Sequence, residues 1–367
     1  MAPAPLPHRR RWTGGVIREG ELVRQGYIDA GPAFPMKRKR CSVSVPLSIL
    51  DLVSIPEGST ARQAIASSMA AAKSADRLGY TRLWFAEHHN TVNLAASATG
   101  QLIGQAASVT ERIRVGSGGV MLPNHAPLMV AEEYGTLANI HGDRIDLGLG
   151  RAPGTDMMTA RALSRSSAEP QEFAQNIYDL QGWFSEGTAR SMQIASAVSA
   201  GTEVPIWVLG STVNGASIAG QLGLPFSVAS HFAPDQLDDA IKIYRSSFNA
   251  EAPTAQIDKP YVLAGINVMV ADSDAEAERE FTSVAQMFAD VSRGRSRKIQ
   301  PPVDPAEARG LDNPMLRIRA VGSPQTAVRQ LTEFVERTGT DEVITTTYAY
   351  DPAVRERSLR LLAENWF

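Results

Sequence analysis

Trp84-Phe85-Ala86-Glu87-His88-His89 is an apolar run that stops abruptly on one acid and two imidazoles. Buried parallel strands read as continuous apolar stretches, so the polar triplet marks where a strand leaves its core. In parallel α/β folds that exit point, at the carboxyl end of the strands, is where binding and catalytic groups collect. The stretch therefore predicts a strand over 81–86 that delivers chemistry to its end.

Working outward, strand-like and helix-like segments alternate from Val43 onward, the signature of βαβ units around a parallel sheet. Strands are expected over 43–52, 81–86, 113–121, 145–149, 204–209, 225–229, 261–270 and 342–347. The first helix starts at a Ser59-Thr60 cap, repeats apolar residues at Ile65, Met69, Ala72, Ala75 and Leu78, and stops at Gly79. Further helices are expected over about 97–110, 128–140 and 352–364. Eight such pairs predict an α/β protein with a TIM (β/α)8 barrel over residues 41–367. An open doubly wound sheet would carry a glycine-rich dinucleotide turn after the first strand, where this chain reads Ile49-Leu50-Asp51-Leu52-Val53. Loop insertions fall at about 187–203 and 291–320, the second mixing Arg293, Arg295, Arg297 and Lys298 with Pro301 and Pro302. Long loops of this kind are usually lids or disordered segments.

The bulk properties narrow the partners. A chain of 367 residues with 43% hydrophobic content buries a large core unaided. The net charge of −3 implies no strong single-sign field, so nucleic acid is not an expected partner and small molecules are. No segment is apolar enough to suggest a membrane span. A single cysteine, Cys41, excludes an internal disulfide framework and a cysteine metal site, and fits a reducing, cytoplasmic location. Residues 1–40 carry nine Lys and Arg against three acids, which leaves 27 basic and 36 acidic residues in the remainder. This basic arm reads as a disordered extension, or as an over-long start with translation beginning at Met36, rather than as a targeting or nucleic-acid segment.

On a barrel the active face is lined by whatever follows each strand: Asp51, Glu87 to Asn90, Gly118 and Gly119, Arg151, Gly210 to Thr212, His231, and Tyr348 with Asp351. Glycines at 116, 118 and 119 within one central strand suggest that something flat approaches the backbone, or that small residues make room for a layer of larger ones. Arg151 suits an anionic ligand edge, or an ion pair with Asp143 or Asp156. Ser211 and Thr212 open a helix and suit a phosphate, or an ordinary N-cap. Adjacent strand residues point to opposite faces, so only one of His88 and His89 is expected at the mouth. The remaining strand ends supply too few ligands for a metal site.

Leu83 to His89, Arg112 to Pro127 and Gly142 to Asp156, taken in order, resemble the bacterial luciferase-like flavin monooxygenases, a family whose closest subgroup mostly lacks known substrates. The resemblance implies a TIM barrel that binds reduced FMN from a separate reductase and oxygenates a small organic substrate with O2 through a C4a-hydroperoxide. It implies a deazaflavin-dependent dehydrogenase or reductase, or a non-catalytic flavin-binding barrel, as alternatives. By the same resemblance His88 is the catalytic imidazole, and Glu87, Gly118, Gly119, Arg151, Ser211 and Thr212 bind cofactor. The Gly118-Gly119 step falls where the family often has a cis peptide. Beyond the resemblance, His231 is a candidate to face substrate or else a core or loop histidine, and Asn124 is a candidate ligand contact, to flavin or substrate, or else a cap of the next helix. A homodimer is implied too. Gly150 and Ser211 stand where luciferase proper has a cysteine and a glutamate, so light emission is not implied.

Overall fold

The computed structural model describes residues 44–367 apart from 153–154, 164–167, 187–192 and 312. The basic arm over 1–40, Met36 and Cys41, and part of the first insertion lie outside the described residues.

The elements run β1 (Leu47–Asp51), α1 (Ala61–Leu78), β2 (Arg82–Phe85), α2 (Thr99–Ser108), β3 (Arg114–Ser117), β4 (Val120–Met121), α3 (Pro127–His141) and β5 (Ile145–Gly150). They continue α4 (Met157–Ala162), α5 (Pro170–Phe184), β6 (Ile206–Gly210), α6 (Val213–Gln221), β7 (Phe226–Val228), α7 (Leu237–Ser247) and β8 (Val262–Val270). The last are α8 (Asp274–Ser292), β9 (Arg319–Gly322), α9 (Pro324–Thr338), β10 (Glu342–Thr346) and α10 (Pro352–Trp366). Strands β1, β2, β3, β5, β6, β7, β8 and β10 pair in parallel, and the ring closes because β10 pairs with both β8 and β1. This is the expected TIM barrel. Helix α1 begins on a Thr60–Gln63 capping box and ends at Gly79 in the left-handed region, so its bounds follow from the capping signals.

Two expectations need correction. The strand read over 113–121 is interrupted: the Gly118–Gly119 peptide is cis, and β4 resumes beside β5. The described residues of the insertion over 291–320 include short helical turns, and its end is a strand, because β9 adds to the outside of β8 with Arg319 opposite Asn267. Its start is strapped across the barrel mouth. Ile299 N–H donates to Ile55 at 3.0 Å, Glu57 N–H donates to Ile299 at 2.8 Å, and Lys298 Nζ donates to the Ser59 carbonyl at 2.6 Å.

Alternation along the strands sorts the core into two. Leu83 and Phe85 face the helices, while Trp84 and Ala86 face the barrel axis with Leu50, Trp207, Leu263 and Ile344. Trp84 and Trp207 meet edge to face, 5.1 Å between centroids. Close packing between strands also accounts for the glycines. A Cβ on Gly119 would lie 2.7 Å from the Gly148 carbonyl oxygen, and one on Gly118 would lie 2.6 Å from Leu50 Cδ1. Backbone atoms alone therefore require glycine at 119, whereas the nearest atom to a Cβ at 118 is the end of a leucine side chain.

Candidate active site

Continuing the same alternation past the end of β2 sends His88 to the barrel mouth and Glu87 and His89 outward, under the turn between β4 and α3. The hydrogen bonds agree with that division. Glu87 is 1% exposed, and its carboxylate accepts from His89 Nε2 at 2.8 Å, Asn124 Nδ2 at 3.1 Å, Met121 N–H at 2.9 Å and His125 Nε2 at 2.9 Å. Burial opposes its ionisation, yet the bonds from His125, His89 and Met121 outweigh that and hold the carboxyl below its ordinary value. The same bond to Glu87 raises His125 against the opposing effect of burial. Glu87 thus ties the end of β2 to the segment that follows the Gly118–Gly119 step.

His88 is fixed through its backbone: its N–H donates to the Ala96 carbonyl at 2.8 Å, and its own carbonyl accepts from Ser97 Oγ at 2.8 Å. Its ring Nδ1 is buried and has no hydrogen-bond partner among the described residues. His231, which follows β7, is in the same position: 8% exposed, with an unpartnered buried Nδ1. Its ring lies over Gly265 of β8, where a Cβ would approach that nitrogen to 2.2 Å. Below it, Asn267 donates from Nδ2 to the His231 carbonyl at 2.7 Å and accepts from Thr346 Oγ1 at 2.9 Å. Burial, opposed in part by Glu87, lowers the His88 pKa, and burial followed by repulsion from His88 depresses His231 to about 4. Both imidazoles are therefore neutral at pH 7, each able to accept a proton or share a hydrogen bond.

The other predicted residues fall at the same end of the barrel in different settings. Arg151 follows β5 and donates from Nη1 to the Ala168 carbonyl at 3.1 Å. Thr212 caps α6, its hydroxyl accepting from Gly215 N–H at 3.4 Å, while Ser211 continues the inward register of Trp207 and Leu209. Asn124 meets the Glu87 carboxylate rather than standing apart from it. Asp51 is spent on structure, accepting from Val53 N–H and Ser68 Oγ and pairing with Arg355 at 2.9 Å.

Sequence reading placed Tyr348 at this end of the barrel but missed the two phenylalanines that extend it. Phe232, 48% exposed, packs on Phe288 at 6.2 Å, and Phe288 meets Tyr348 at 6.5 Å, an aromatic wall built from three separate elements. Asn267 was missed as well, although a lone amide in the otherwise apolar run Val262–Val270 was a usable signal.

Two outcomes follow from these settings. Glu87→Gln replaces one acceptor oxygen by an amide that faces existing donors, so a loss of about 3 kcal/mol is expected in denaturant unfolding. His231 sets a pH dependence. Its folded pKa of about 4 lies below the ordinary 6.5, so the unfolded chain binds more protons in that interval. Stability should therefore fall as pH drops through that window, by up to about 3 kcal/mol, and His231→Phe should remove that slope from unfolding curves.

The profile of the luciferase-like monooxygenase family matches residues 45–342. A luciferase-like monooxygenase of Escherichia coli (strain K12) is 40% identical over 326 residues, 87% of this chain and 96% of that protein. The crystal structure of apo-MsnO8 is 32% identical, with a TM-score of 0.78 over 88% of this chain and 98% of that one. The oxygenating constituent of the FMN-complexed diketocamphane monooxygenase from the CAM plasmid of Pseudomonas putida shares the fold, with a TM-score of 0.65 at 20% identity over 88% of this chain and 97% of that one. A barrel with its polar groups at the carboxyl mouth, matched over nearly its whole length by that profile and by a relative covered over 96% of its own length, leaves one assignment: the chain belongs to the luciferase-like monooxygenase family.

Proposed function

We propose that this protein is a flavin-dependent monooxygenase that takes reduced FMN from a separate reductase and uses O2 to oxygenate a small organic substrate. The observation that carries this reading is the pair of buried, unpartnered Nδ1 atoms on His88 and His231 at the barrel mouth. Buried polar atoms are nearly always satisfied, so two orphans at one mouth fit the polar edge of a bound ring. The FMN in the diketocamphane enzyme's crystal structure, on the same fold, supports the choice of cofactor.

His88, Gly118, Gly119, Arg151 and Ser211 would hold the cofactor, with the amino end of α6 toward its phosphate. Thr212 contributes by capping that helix, and Glu87 by holding the turn after the glycine step. Bound there, a reduced flavin supplies the electrons that activate O2. His88 is the group that accepts and returns a proton at its ring nitrogen, since burial keeps it neutral. His231 shares a hydrogen bond from the opposite wall, with Asn124 and the strap over 296–299 restricting water. Substrate enters along the aromatic wall that starts at Phe232. The protein works in the cytoplasm as a homodimer, and the exposed Met129 and Ile140 of α3 would lie in the covered face.

Anaerobic titration of the pure protein with reduced FMN and, separately, with a reduced deazaflavin tests the reading. Saturable binding of reduced FMN is expected; binding of the deazaflavin alone would replace this proposal with a hydride-transfer enzyme.

A further inference from the structure

A cavity of about 620 Å³ lies between α8 and the segment that precedes β9. Its size is that of a small-ligand site. Its wall is apolar, formed by Phe281 and Ala285 of α8 with Leu311, Pro314 and Leu316. Phe281 and Leu316 are buried, at 3% and 6% exposure. Among the described lining residues the charges are Arg309, Arg317 and Arg319 against Glu278 alone. That excess is notable because residues 41–367 carry 27 basic and 36 acidic side chains. A cationic cleft on an anionic body is a local attraction for anions.

The three guanidinium groups differ in their commitments. Arg319 lies over the Phe281 ring at 5.2 Å and reaches Glu278 only at 3.5 Å. Arg317 pairs with Asp235, which lies outside the cleft and is 78% exposed. Arg309, exposed on its turn, has no carboxylate partner among the described residues. Exposed pairs of this sort are weak and exchange readily for an incoming anion. The basic arm over 1–40 carries the wrong sign to occupy the cleft.

We propose that this cleft binds a small amphipathic anion, its apolar body against Phe281, Ala285 and Leu316 and its carboxylate, sulfonate or phosphate toward Arg309, Arg317 and Arg319. None of its described lining residues is among those placed at the barrel mouth above, so the cleft is assigned to an effector rather than to the reacting substrate.

Fluorescence titration of the full-length, FMN-saturated protein with anilinonaphthalene sulfonate tests the assignment. One saturable site is expected, with Arg309→Gln weakening it roughly fivefold and the uncharged N-phenylnaphthylamine binding less tightly. Ala285→Phe should abolish the signal by filling the cleft. Ala308→Trp, on the exposed turn, fills it from the other side and keeps the test decisive if the helix variant fails to fold. Binding that survives both filled variants, displaces FMN, or is equal for the neutral dye and indifferent to Arg309→Gln would overturn the proposal.

Discussion

Replacing His88 with alanine is expected to lower the oxygenation rate by about 10²–10⁴-fold while reduced FMN still binds, because the variant removes the positioned proton acceptor and not the glycine floor or Ser211. The ring is held from its backbone, through the Ala96 carbonyl and Ser97 Oγ, so deleting the side chain leaves those two anchors in place. Stability should change little for the same reason: the lost ring carries a buried nitrogen that nothing in the described protein satisfies. Stopped-flow oxidation of the FMN-loaded variant should then show O2 consumed without product. A variant that oxygenates at the parent rate would remove His88 from the chemistry, whatever its affinity for flavin.

The protonation state sharpens this expectation. Burial lowers the His88 pKa from its ordinary 6.5, so the neutral form is the resting form at pH 7. Protonation would block the acceptor, and the acidic limb of the rate profile should therefore lie below pH 6.5. That limb should vanish in His88→Ala. Loss of Glu87 acts differently. It loosens Met121, Asn124 and His125 together, so it should raise the KM for reduced FMN and spare the position of the acidic limb.

How much of this was legible in the sequence depends on how local each cause is. The barrel strands announced themselves because a strand buried on both faces must be apolar throughout, and helix α1 because both its caps are written in adjacent residues. β9 was not legible: four residues beginning with an exposed arginine, after a long aperiodic insertion, are a strand only because β8 offers an edge. The division between His88 and His89 followed from the two-residue period. The partner of Glu87 did not, since His125 lies 38 residues away and is brought near only by the turn after β4. Glycines 118 and 119 were read toward a ligand or toward packing, and for Gly119 the Gly148 backbone supplies the packing reason, which no local pattern announces.

The least legible feature carries the largest expected effect on stability. Arg82→Met should destabilise the protein by about 3–5 kcal/mol, because it leaves buried Glu342 without its guanidinium partner and Asp146 with only one of two. Arg82 is 2% exposed at the amino end of β2. Its Nη1 meets Asp146 at 2.7 Å and its Nε meets Glu342 at 3.0 Å, both acids fully buried. Arg114 holds the other oxygen of Asp146 at 2.6 Å, and Trp84 Nε1 and Tyr261 Oη complete the shells of Asp146 and Glu342 at 3.1 and 2.9 Å. The guanidinium also lies 4.6 Å from the Trp207 ring centroid, so methionine replaces its packing but not its charge. If uncompensated charge is the cause, adding Glu342→Gln to Arg82→Met should cost less than the two single changes summed, by up to about 3 kcal/mol in a double-mutant cycle. Strict additivity would mean that the guanidinium stabilises only by packing. The network sits at the amino end of the barrel, opposite the mouth that holds His88 and His231, where barrels keep stability apart from chemistry. Arg82→Met, assayed at a temperature where it remains folded, should therefore bind reduced FMN as the parent does. A shifted affinity would instead mean that the Trp84–Trp207 layer transmits the loss along the barrel axis to the site.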